Sequence, residues 1–371
     1  MTVAAVLDAT SPVKTEIRRL IRIAGPMPVS QYMELCLSHP QHGYYATRDP
    51  LGQAGDFTTA PEISQMFGEL IGLWAASVWQ SMGTPNRICL VELGPGRGTM
   101  MADILRAAKI LPAFDEAISV HLVETSPALR ERQREKLSDA GKSIVWDDRL
   151  DNVPKIPSIY FANEFFDALP VRQAIKHGNA WHERTVEIGT GDKLQFGCAP
   201  DPLTAFEETI PFDARLAPEG SIFEWRSPYS ALELGRRVSR HGAALVVDYG
   251  HTRSAVGDTF QAVRSHKFAD PLASPGLADL TAHVDFEALA DAISSMGARA
   301  EKPLDQGTFL KRLGIATRAT ALKANTDASG AKAIDAALER LTAMEKTGMG
   351  HLFKVLGAAQ KDLPALPGFD A

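Results

Sequence analysis

Three glycines follow an apolar run in the segment VELGPGRGTMM, residues 91–101. Gly94, Gly96 and Gly98 place no Cβ between the backbone and a ligand, and glycine adopts positive φ angles at little cost. The apolar run predicts a buried strand, and the residues after the glycines predict a helix. In parallel α/β sheets, a glycine-rich turn between a strand and a helix binds ligands. The segment therefore predicts a bound small molecule held by backbone atoms.

The residues around the glycines distinguish between ligand classes. A phosphate-binding P-loop needs a lysine after its last glycine, and a dinucleotide fingerprint needs a glycine where this chain has Thr99. Glu92, two residues before the first glycine, would repel a pyrophosphate but attract an ammonium or a sulfonium. S-adenosylmethionine carries both cations, so the sequence favours it as cofactor over NAD, and an NAD-dependent oxidoreductase is disfavoured. A tight turn with no ligand is the structural alternative.

Acidic residues follow the next two predicted strands. SVHLVET ends close to Glu124, which we predict to bind the two ribose hydroxyls of the cofactor. SIVWDD ends in Asp147 and Asp148, either of which would meet the adenine amino group. Because parallel strands end at one edge of a sheet, these positions follow one extended ligand. For Glu124 the alternative is an acidic residue favoured by the N-terminus of the next helix.

Strands and helices alternate from residue 87 onward. Buried strands are predicted at residues 87–94, 119–125, 143–148, 158–164 and 242–250, with a last strand at 351–360. This alternation predicts a Rossmann-like α/β fold, with a mostly parallel sheet and helices on both faces. We divide the chain into an N-terminal helical cap at 1–85 and a core at 86–371, with insertions at about 171–226 and 305–345.

The cap contains a predicted lid and a predicted long helix. Asp56 and Thr58 lie in a glycine-rich segment that we expect to fold over the cofactor. Residues 59–79 carry apolar side chains at helical spacing, and Thr59 with Glu62 three residues later is typical of a capping box.

Composition excludes several classes of protein. The chain has 371 residues and a net charge of −6, which argues against a nucleic-acid groove or a polybasic membrane surface. Its three cysteines and ten histidines form no metal-ligand motif, so we predict no metal site. No apolar run is long enough to span a membrane. The lack of a clear transit peptide indicates a bacterial, cytoplasmic protein; a eukaryotic source would mean the mitochondrial matrix.

Several long motifs resemble one family. VELGPGRGTMMADILR, VETSPALRERQ, ANEFFDALPV, VVDYGH and GDFTTAPEISQMFGELIG together resemble the MidA-type methyltransferases, which include the mitochondrial complex I assembly-factor methyltransferase. The resemblance covers roughly residues 15–358. It implies a class I S-adenosylmethionine-dependent fold, with Glu92, the three glycines and Glu124 at cofactor positions. In the best-known member it implies symmetric dimethylation of an arginine in a complex I subunit, so it implies a protein substrate here.

An arginine substrate determines which residues catalysis needs. The guanidinium has a pKa above about 12, and a carboxylate paired with it localises its charge and accepts a proton. The segment after the fourth predicted strand contains Asn163, Glu164 and Asp167. We predict that Glu164 clamps the guanidinium and Asn163 orients the substrate or the cofactor, with Asp167 as a further candidate. The alternative is that these residues begin a helix, whose N-terminus favours such side chains.

His251 is a second candidate proton acceptor, because it ends the fifth predicted strand and histidine titrates near neutral pH. Two other functions stay open: an assembly chaperone that binds the cofactor only for stability, and a methyltransferase for a small molecule. Glu164→Gln would separate the first from the enzyme, since a chaperone would keep its partner and an enzyme would lose turnover.

Overall fold

The computed structural model describes residues 11–47, 58–264 and 266–370, so the predicted lid residue Asp56 lies outside the described residues. The helices are, in chain order, α1 (Pro12–Ala24), α2 (Val29–Ser38), α3 (Tyr44–Thr47), α4 (Ala60–Ile63), α5 (Gln65–Ser81), α6 (Thr99–Ala108), α7 (Pro112–Ala117), α8 (Pro127–Leu137), α9 (Phe206–Thr209), α10 (Phe212–Arg215), α11 (Tyr229–His241), α12 (Phe286–Ser295), α13 (Gln306–Arg312), α14 (Ile315–Lys323), α15 (Ala328–Thr342) and α16 (Met349–Leu352).

The strands are, in chain order, β1 (Met27–Pro28), β2 (Ile88–Leu93), β3 (Ile118–Val123), β4 (Ile144–Asp147), β5 (Ser158–Asn163), β6 (Val171–His177), β7 (Ala180–Ile188), β8 (Leu194–Pro202), β9 (Ile222–Arg226), β10 (Gly242–His251), β11 (Gln261–Arg264), β12 (Lys267–Ala269), β13 (Asp279–Thr281), β14 (Val284–Asp285), β15 (Arg299–Ala300), β16 (Leu304–Asp305) and β17 (Phe353–Ala359).

The chain divides into two compact units. The first takes the described residues within 1–57, 167–227 and 253–283, and the second takes those within 58–166, 228–252 and 284–371. The predicted boundary at residue 85 does not coincide with this division. The helices just before residue 85 belong to the second unit, and the predicted insertion at 171–226 groups with the N-terminal residues.

The second unit contains the large sheet, in the order β15-β17-β10-β5-β2-β3-β4. Strands β10, β5, β2, β3 and β4 are parallel, whereas β17 runs antiparallel to β10 and β15 runs antiparallel to β17. The predicted α/β fold is confirmed, and its sheet is mixed rather than purely parallel. The last strand was predicted by its apolar run, but such a run does not specify strand direction. Strand order reverses beside β2, which is where such sheets bind ligands.

Two glycines set the distance between α5 and α6, the helices that precede and follow β2 in the chain. A Cβ on Gly68 of α5 would lie 2.5 Å from the Cβ of Asp103 on α6, and one on Gly72 would lie 2.9 Å from that of Ala107. Any larger residue would force the helices apart, so α6 is held closely against α5. The helix that starts at the glycine turn therefore has a fixed position.

The long helix predicted over residues 59–79 is broken at Ser64. This residue has an extended backbone (φ −162°, ψ 140°), and its Oγ caps α5 by accepting a hydrogen bond from the N–H of Met66. The predicted capping box is wrong. Thr59 makes no side-chain capping bond, and Glu62 accepts instead from Thr99 Oγ1 at 2.5 Å. Helix α4 is thereby tied to the start of α6.

The first unit is built from antiparallel sheets. One has the order β1-β7-β6-β9 with β8 added to β7, and a smaller one has the order β12-β11-β13. Helices α1 and α2 contribute buried residues such as Ile17 and Tyr32 to the core of this unit. In the described parts of the chain, no helix is long and apolar enough to cross a membrane.

Candidate active site

The glycine turn after β2 has a positive φ angle at each of its three glycines. Gly94, Gly96 and Gly98 have φ values of 63°, 55° and 79°, a region in which side chains other than glycine are strained. A Cβ on Gly94 would lie 3.0 Å from Cδ2 of Phe165, whereas one on Gly98 would meet Cγ of Gln133 at an ordinary 3.5 Å. Only glycine lets the backbone follow this path and leaves the backbone open at the end of β2.

Glu92 is a buried carboxylate on β2. Its residue is 3% exposed, and Oε2 makes no hydrogen bond among the described residues. Burial raises the pKa of this carboxyl from 4.5 to about 8. A buried acid costs free energy unless a cation or a donor meets it. The group therefore fits a ligand that carries an ammonium or a sulfonium, as predicted for the cofactor.

Glu124 lies at the end of β3 and is held in place by neighbours. Oε1 accepts from the N–H of Ser126 at 2.8 Å, and Oε2 accepts from Nε2 of Gln133 at 3.4 Å. Burial is the main effect on this carboxyl and raises its pKa. Gln133 also donates to the carbonyl of Gly96 at 2.7 Å, so it joins Glu124 to the glycine turn. This role of Gln133 could not be predicted from the sequence, because a glutamine on a charged helix is ordinarily exposed.

The two aspartates predicted to read adenine both have protein partners. Asp147 Oδ2 lies 2.7 Å from Nδ1 of His121, and the two side chains are largely buried. Asp148 is exposed, and its Oδ1 accepts from Arg130 at 2.7 Å. The side chain of Arg130 also donates to the carbonyl of Glu124 at 2.8 Å. Both aspartates therefore lie at the end of β4 as expected, and their role in adenine binding stays a prediction.

The segment after β5 contains no helix, so the alternative that Asn163 and Glu164 begin one is wrong. Residues 164–170 are irregular, and β6 starts at Val171. Glu164 has a φ of 52°, an unusual conformation for a residue with a side chain. Its Oε1 accepts from Nδ2 of Asn163 at 3.2 Å and from the N–H of Ala60 at 3.4 Å. Oδ1 of Asn163 is buried and makes no hydrogen bond within the described residues.

Helix α4 brings further polar groups to the glycine turn. Glu62 accepts from Thr99, and its Oε2 lies 3.9 Å from Nη1 of Arg97. These contacts were not predicted, because the spacing of Thr59 and Glu62 indicated a cap instead. Thr58, a predicted lid residue, is half-buried just before α4.

The remaining catalytic candidates are His251 and Asp167. Nε2 of His251 is 3.9 Å from Oδ2 of Asp285, and no hydrogen bond or ion pair of the described residues joins His251 to Asn163 or Glu164. Asp167 is buried and belongs to the first unit. There, Arg226 donates to the carbonyls of Asp167 and Ala282, at 3.2 and 2.6 Å. Among the described residues, no cluster of three or more His, Cys, Asp or Glu could hold a metal ion.

Known relatives of this chain are methyltransferases. Residues 70–304 match the family model Methyltransf_28, "Putative S-adenosyl-L-methionine-dependent methyltransferase". The human mitochondrial protein arginine methyltransferase NDUFAF7 is 41% identical over 349 residues, which are 84% of this chain and 76% of that protein. The Drosophila melanogaster homolog is 36% identical over 372 residues, 92% of this chain and 83% of that protein.

Solved structures extend the likeness to the whole chain. A COG1565 superfamily member from Burkholderia thailandensis, crystallised with S-adenosyl-homocysteine, has a TM-score of 0.81 and 29% identity, covering 100% of this chain and 97% of that chain. The native crystal structure of a COG1565 protein from the same organism has a TM-score of 0.82. The predicted cofactor and the predicted family are confirmed. The chain belongs to the S-adenosylmethionine-dependent methyltransferases of the Methyltransf_28 family.

Proposed function

We propose that this methyltransferase modifies an arginine side chain of a protein, and that the protein is a subunit of respiratory complex I. The curated relatives are named protein arginine methyltransferases. The observation that carries the proposal is the Glu164 carboxylate, held at a strained backbone position beside the glycine turn. We further propose a class I methyltransferase fold, supported by the reversal of strand order beside β2. The location proposed is the cytoplasm of a bacterium, or the mitochondrial matrix if the source is eukaryotic.

Three groups at the end of the sheet would hold the cofactor. The open backbone at Gly94, Gly96 and Gly98 admits a ligand close to the chain, and Glu92 supplies the negative charge for its cationic end. Glu124, fixed by Ser126 and Gln133, would bind the ribose. When bound, the cofactor supplies a methyl group on a positively charged sulfur.

Glu164 would bind the guanidinium of the substrate. Its carboxylate can accept two N–H bonds from one edge of the guanidinium and so leave the third nitrogen to react. One of the two bound nitrogens would give its proton to the carboxylate, which leaves a lone pair for the third nitrogen as the new N–C bond forms and the methyl–sulfur bond breaks. The buried Oδ1 of Asn163 has no hydrogen bond among the described residues and would accept another N–H of the substrate. We also propose His251 as a second proton acceptor and Asp167 as a further catalytic residue.

The test is methyl transfer to a defined protein. The purified chain would be incubated with labelled S-adenosylmethionine and the soluble arm of complex I, and methylarginine would be identified by mass spectrometry. Glu164→Gln keeps the shape of the side chain but removes its charge. We expect it to lower turnover on the order of 1,000-fold with cofactor affinity unchanged. Glu116→Gln, at an exposed position on α7, is the matched control and should keep full turnover.

The result separates the rival functions. If the chain binds the complex I arm but labels nothing, the chaperone is the better description. If label appears only in small metabolites of a cell extract, the substrate is a small molecule. Full turnover of Glu164→Gln would show that Glu164 has no part in the mechanism, but it would not contradict an arginine substrate.

A further inference from the structure

Another buried carboxylate, Asp248, lies near the end of β10 and beside the segment that follows β5. Asp248 is 0% exposed. Its Oδ2 accepts from the N–H of Phe166 at 3.0 Å, and its Oδ1 accepts from the N–H of Tyr249 at 3.0 Å. Its register neighbour on β17 is Lys354, whose ammonium donates to Oδ1 of Asp305 at 2.7 Å. Two backbone N–H groups are therefore donors to this buried carboxyl group.

The chain that leaves β5 is bound to β10 at two successive points. The N–H of Glu164 donates to the carbonyl of Val247 at 2.9 Å, and the N–H of Phe166 donates to Asp248. The first bond continues the parallel ladder between β5 and β10. The second replaces a backbone acceptor by a side chain, at the place where the chain leaves the sheet. Asp248 thus fixes the backbone immediately after the strained residue.

The turn between these two bonds contacts the cofactor turn. Phe165 lies between Glu164 and Phe166, and its Cδ2 comes within 3.0 Å of the position that a Cβ on Gly94 would take. Phe165 also meets Phe166 edge to face, with ring centroids 5.2 Å apart and an interplanar angle of 84°. A shift of Phe166 would therefore move Phe165 along the glycine turn and change the direction of the Glu164 carboxylate.

We propose that Asp248 is a positioning residue for methyl transfer, which acts through the N–H of Phe166 to hold the Glu164–Phe165 turn against the glycine turn. The inference rests on the proposed role of Glu164. Asp248 itself need not touch the substrate or the cofactor. Its effect follows from geometry, because catalysis depends on the alignment of the reacting groups and small displacements cost large factors in rate.

The variant that tests this is Asp248→Asn. An amide oxygen can accept only one of the two N–H bonds, and the amide NH2 group then opposes the other N–H donor. We expect kcat to fall on the order of 30-fold, while the affinity for S-adenosylmethionine stays within about threefold. Asp103→Asn is the matched control, since Asp103 is also buried but binds Arg106 on α6. It should lower thermal stability by a similar amount and keep kcat.

A second measurement does not depend on activity. Hydrogen exchange followed by mass spectrometry should show faster exchange in a peptide that covers residues 160–170 of Asp248→Asn, and unchanged exchange in β2 and β3. Wild-type kcat in the variant, or an equal loss of kcat in Asp103→Asn, would overturn the positioning role. If the wild-type chain methylates no arginine, the proposed function fails, but the exchange data still test the positioning role of Asp248. Unchanged exchange at residues 160–170 would show that Asp248 does not hold this turn in place.

Discussion

The chain leaves the sheet through a positive-φ turn after β2 and again after β5, but with different residues. After β2 the positions are Gly94, Gly96 and Gly98, whereas after β5 the position is Glu164. A glycine adopts this conformation freely, whereas a glutamate in it lowers the stability of the folded chain by roughly 1–2 kcal/mol. The first turn thus offers backbone to a ligand and needs no side chain. The second keeps a carboxylate at a strained position, and such strain is often found where a side chain is needed.

The most direct test of this difference is to place a glycine in the second turn as well. Glu164→Gly should relieve the backbone strain and raise the free energy of unfolding by up to about 1 kcal/mol, despite the lost bonds to Asn163 and Ala60. Turnover should fall on the order of 1,000-fold, because the carboxylate is gone. Denaturant unfolding and a methyl-transfer assay measure both. A glycine variant that is much less stable would show that the turn needs the glutamate for folding.

The first turn differs from the second because it lies next to Glu92, a buried acid that needs a cationic ligand. Burial holds the pKa of this carboxyl at about 8 in the folded chain, against 4.5 when unfolded. The folded state therefore binds more protons between these pH values, and stability contributed by Glu92 is lost as pH rises through about 8. Without cofactor, Glu92→Gln should be more stable than wild type at pH 8, on the order of 3 kcal/mol, and equal to it near pH 4.5. Unfolding curves at the two pH values measure this.

The cofactor should reverse that advantage. Saturating S-adenosylmethionine meets the ionised carboxylate, so binding should release a proton and should raise the stability of wild type more than that of Glu92→Gln. An affinity that rises equally with pH in both proteins would contradict the assignment of Glu92 to the cationic end of the cofactor.

The contact between the two turns can be sharpened with two glycine variants. Gly94→Ala places a Cβ 3.0 Å from Phe165, whereas Gly98→Ala places one at an ordinary 3.5 Å from Gln133. Both variants place an alanine at a positive φ angle, which is strained, but only Gly94→Ala also brings its Cβ close to the second turn. We expect Gly94→Ala to weaken cofactor binding by roughly 2 kcal/mol, about 30-fold, and Gly98→Ala by much less. Calorimetric titration with S-adenosylmethionine gives both values, and equal losses would argue against the contact.

The smallest expected effect concerns the link between α4 and the first turn. Thr99→Val removes the donor to Glu62 while keeping the size of the side chain. The free energy of unfolding should fall by about 1 kcal/mol, with kcat within about twofold of wild type. Thermal unfolding and steady-state rates measure the two quantities. A large loss of kcat would mean that α4 helps to place the reacting groups.

The sheet was predictable because its strands are continuous apolar runs. All six residues of β2 are buried, and so are the first eight of β10, which is typical of strands covered on both faces. The site at the strand ends was predictable for the same reason, since parallel strands bring their carboxyl ends to one edge. Glu92, Glu124 and Glu164 could therefore be selected by position alone, and their roles remain to be tested.

The partners of these residues could not be predicted, because they depend on contacts distant in sequence. Thr59 and Glu62 have the spacing of a capping box, but Glu62 turns to Thr99, 37 residues later. Asn163 and Glu164 have the composition of a helix start, yet the hydrogen bonds to β10 keep this segment irregular. The division into two units was equally hidden, since the first unit is assembled from three separate stretches of chain.

The bridge through Gln133 gives the protein an optical reporter. Nε1 of Trp146 donates to Oε1 of Gln133 at 2.8 Å, and Nε2 of the same glutamine donates to the carbonyl of Gly96 at 2.7 Å. The indole is therefore two hydrogen bonds from the turn where the cofactor is expected, while Arg134 lies over its ring at 4.9 Å. Occupation of that turn should change the emission of Trp146, so ligand binding can be followed by fluorescence in the unlabelled protein. The control is Trp146→Phe, in which this change in emission should be absent.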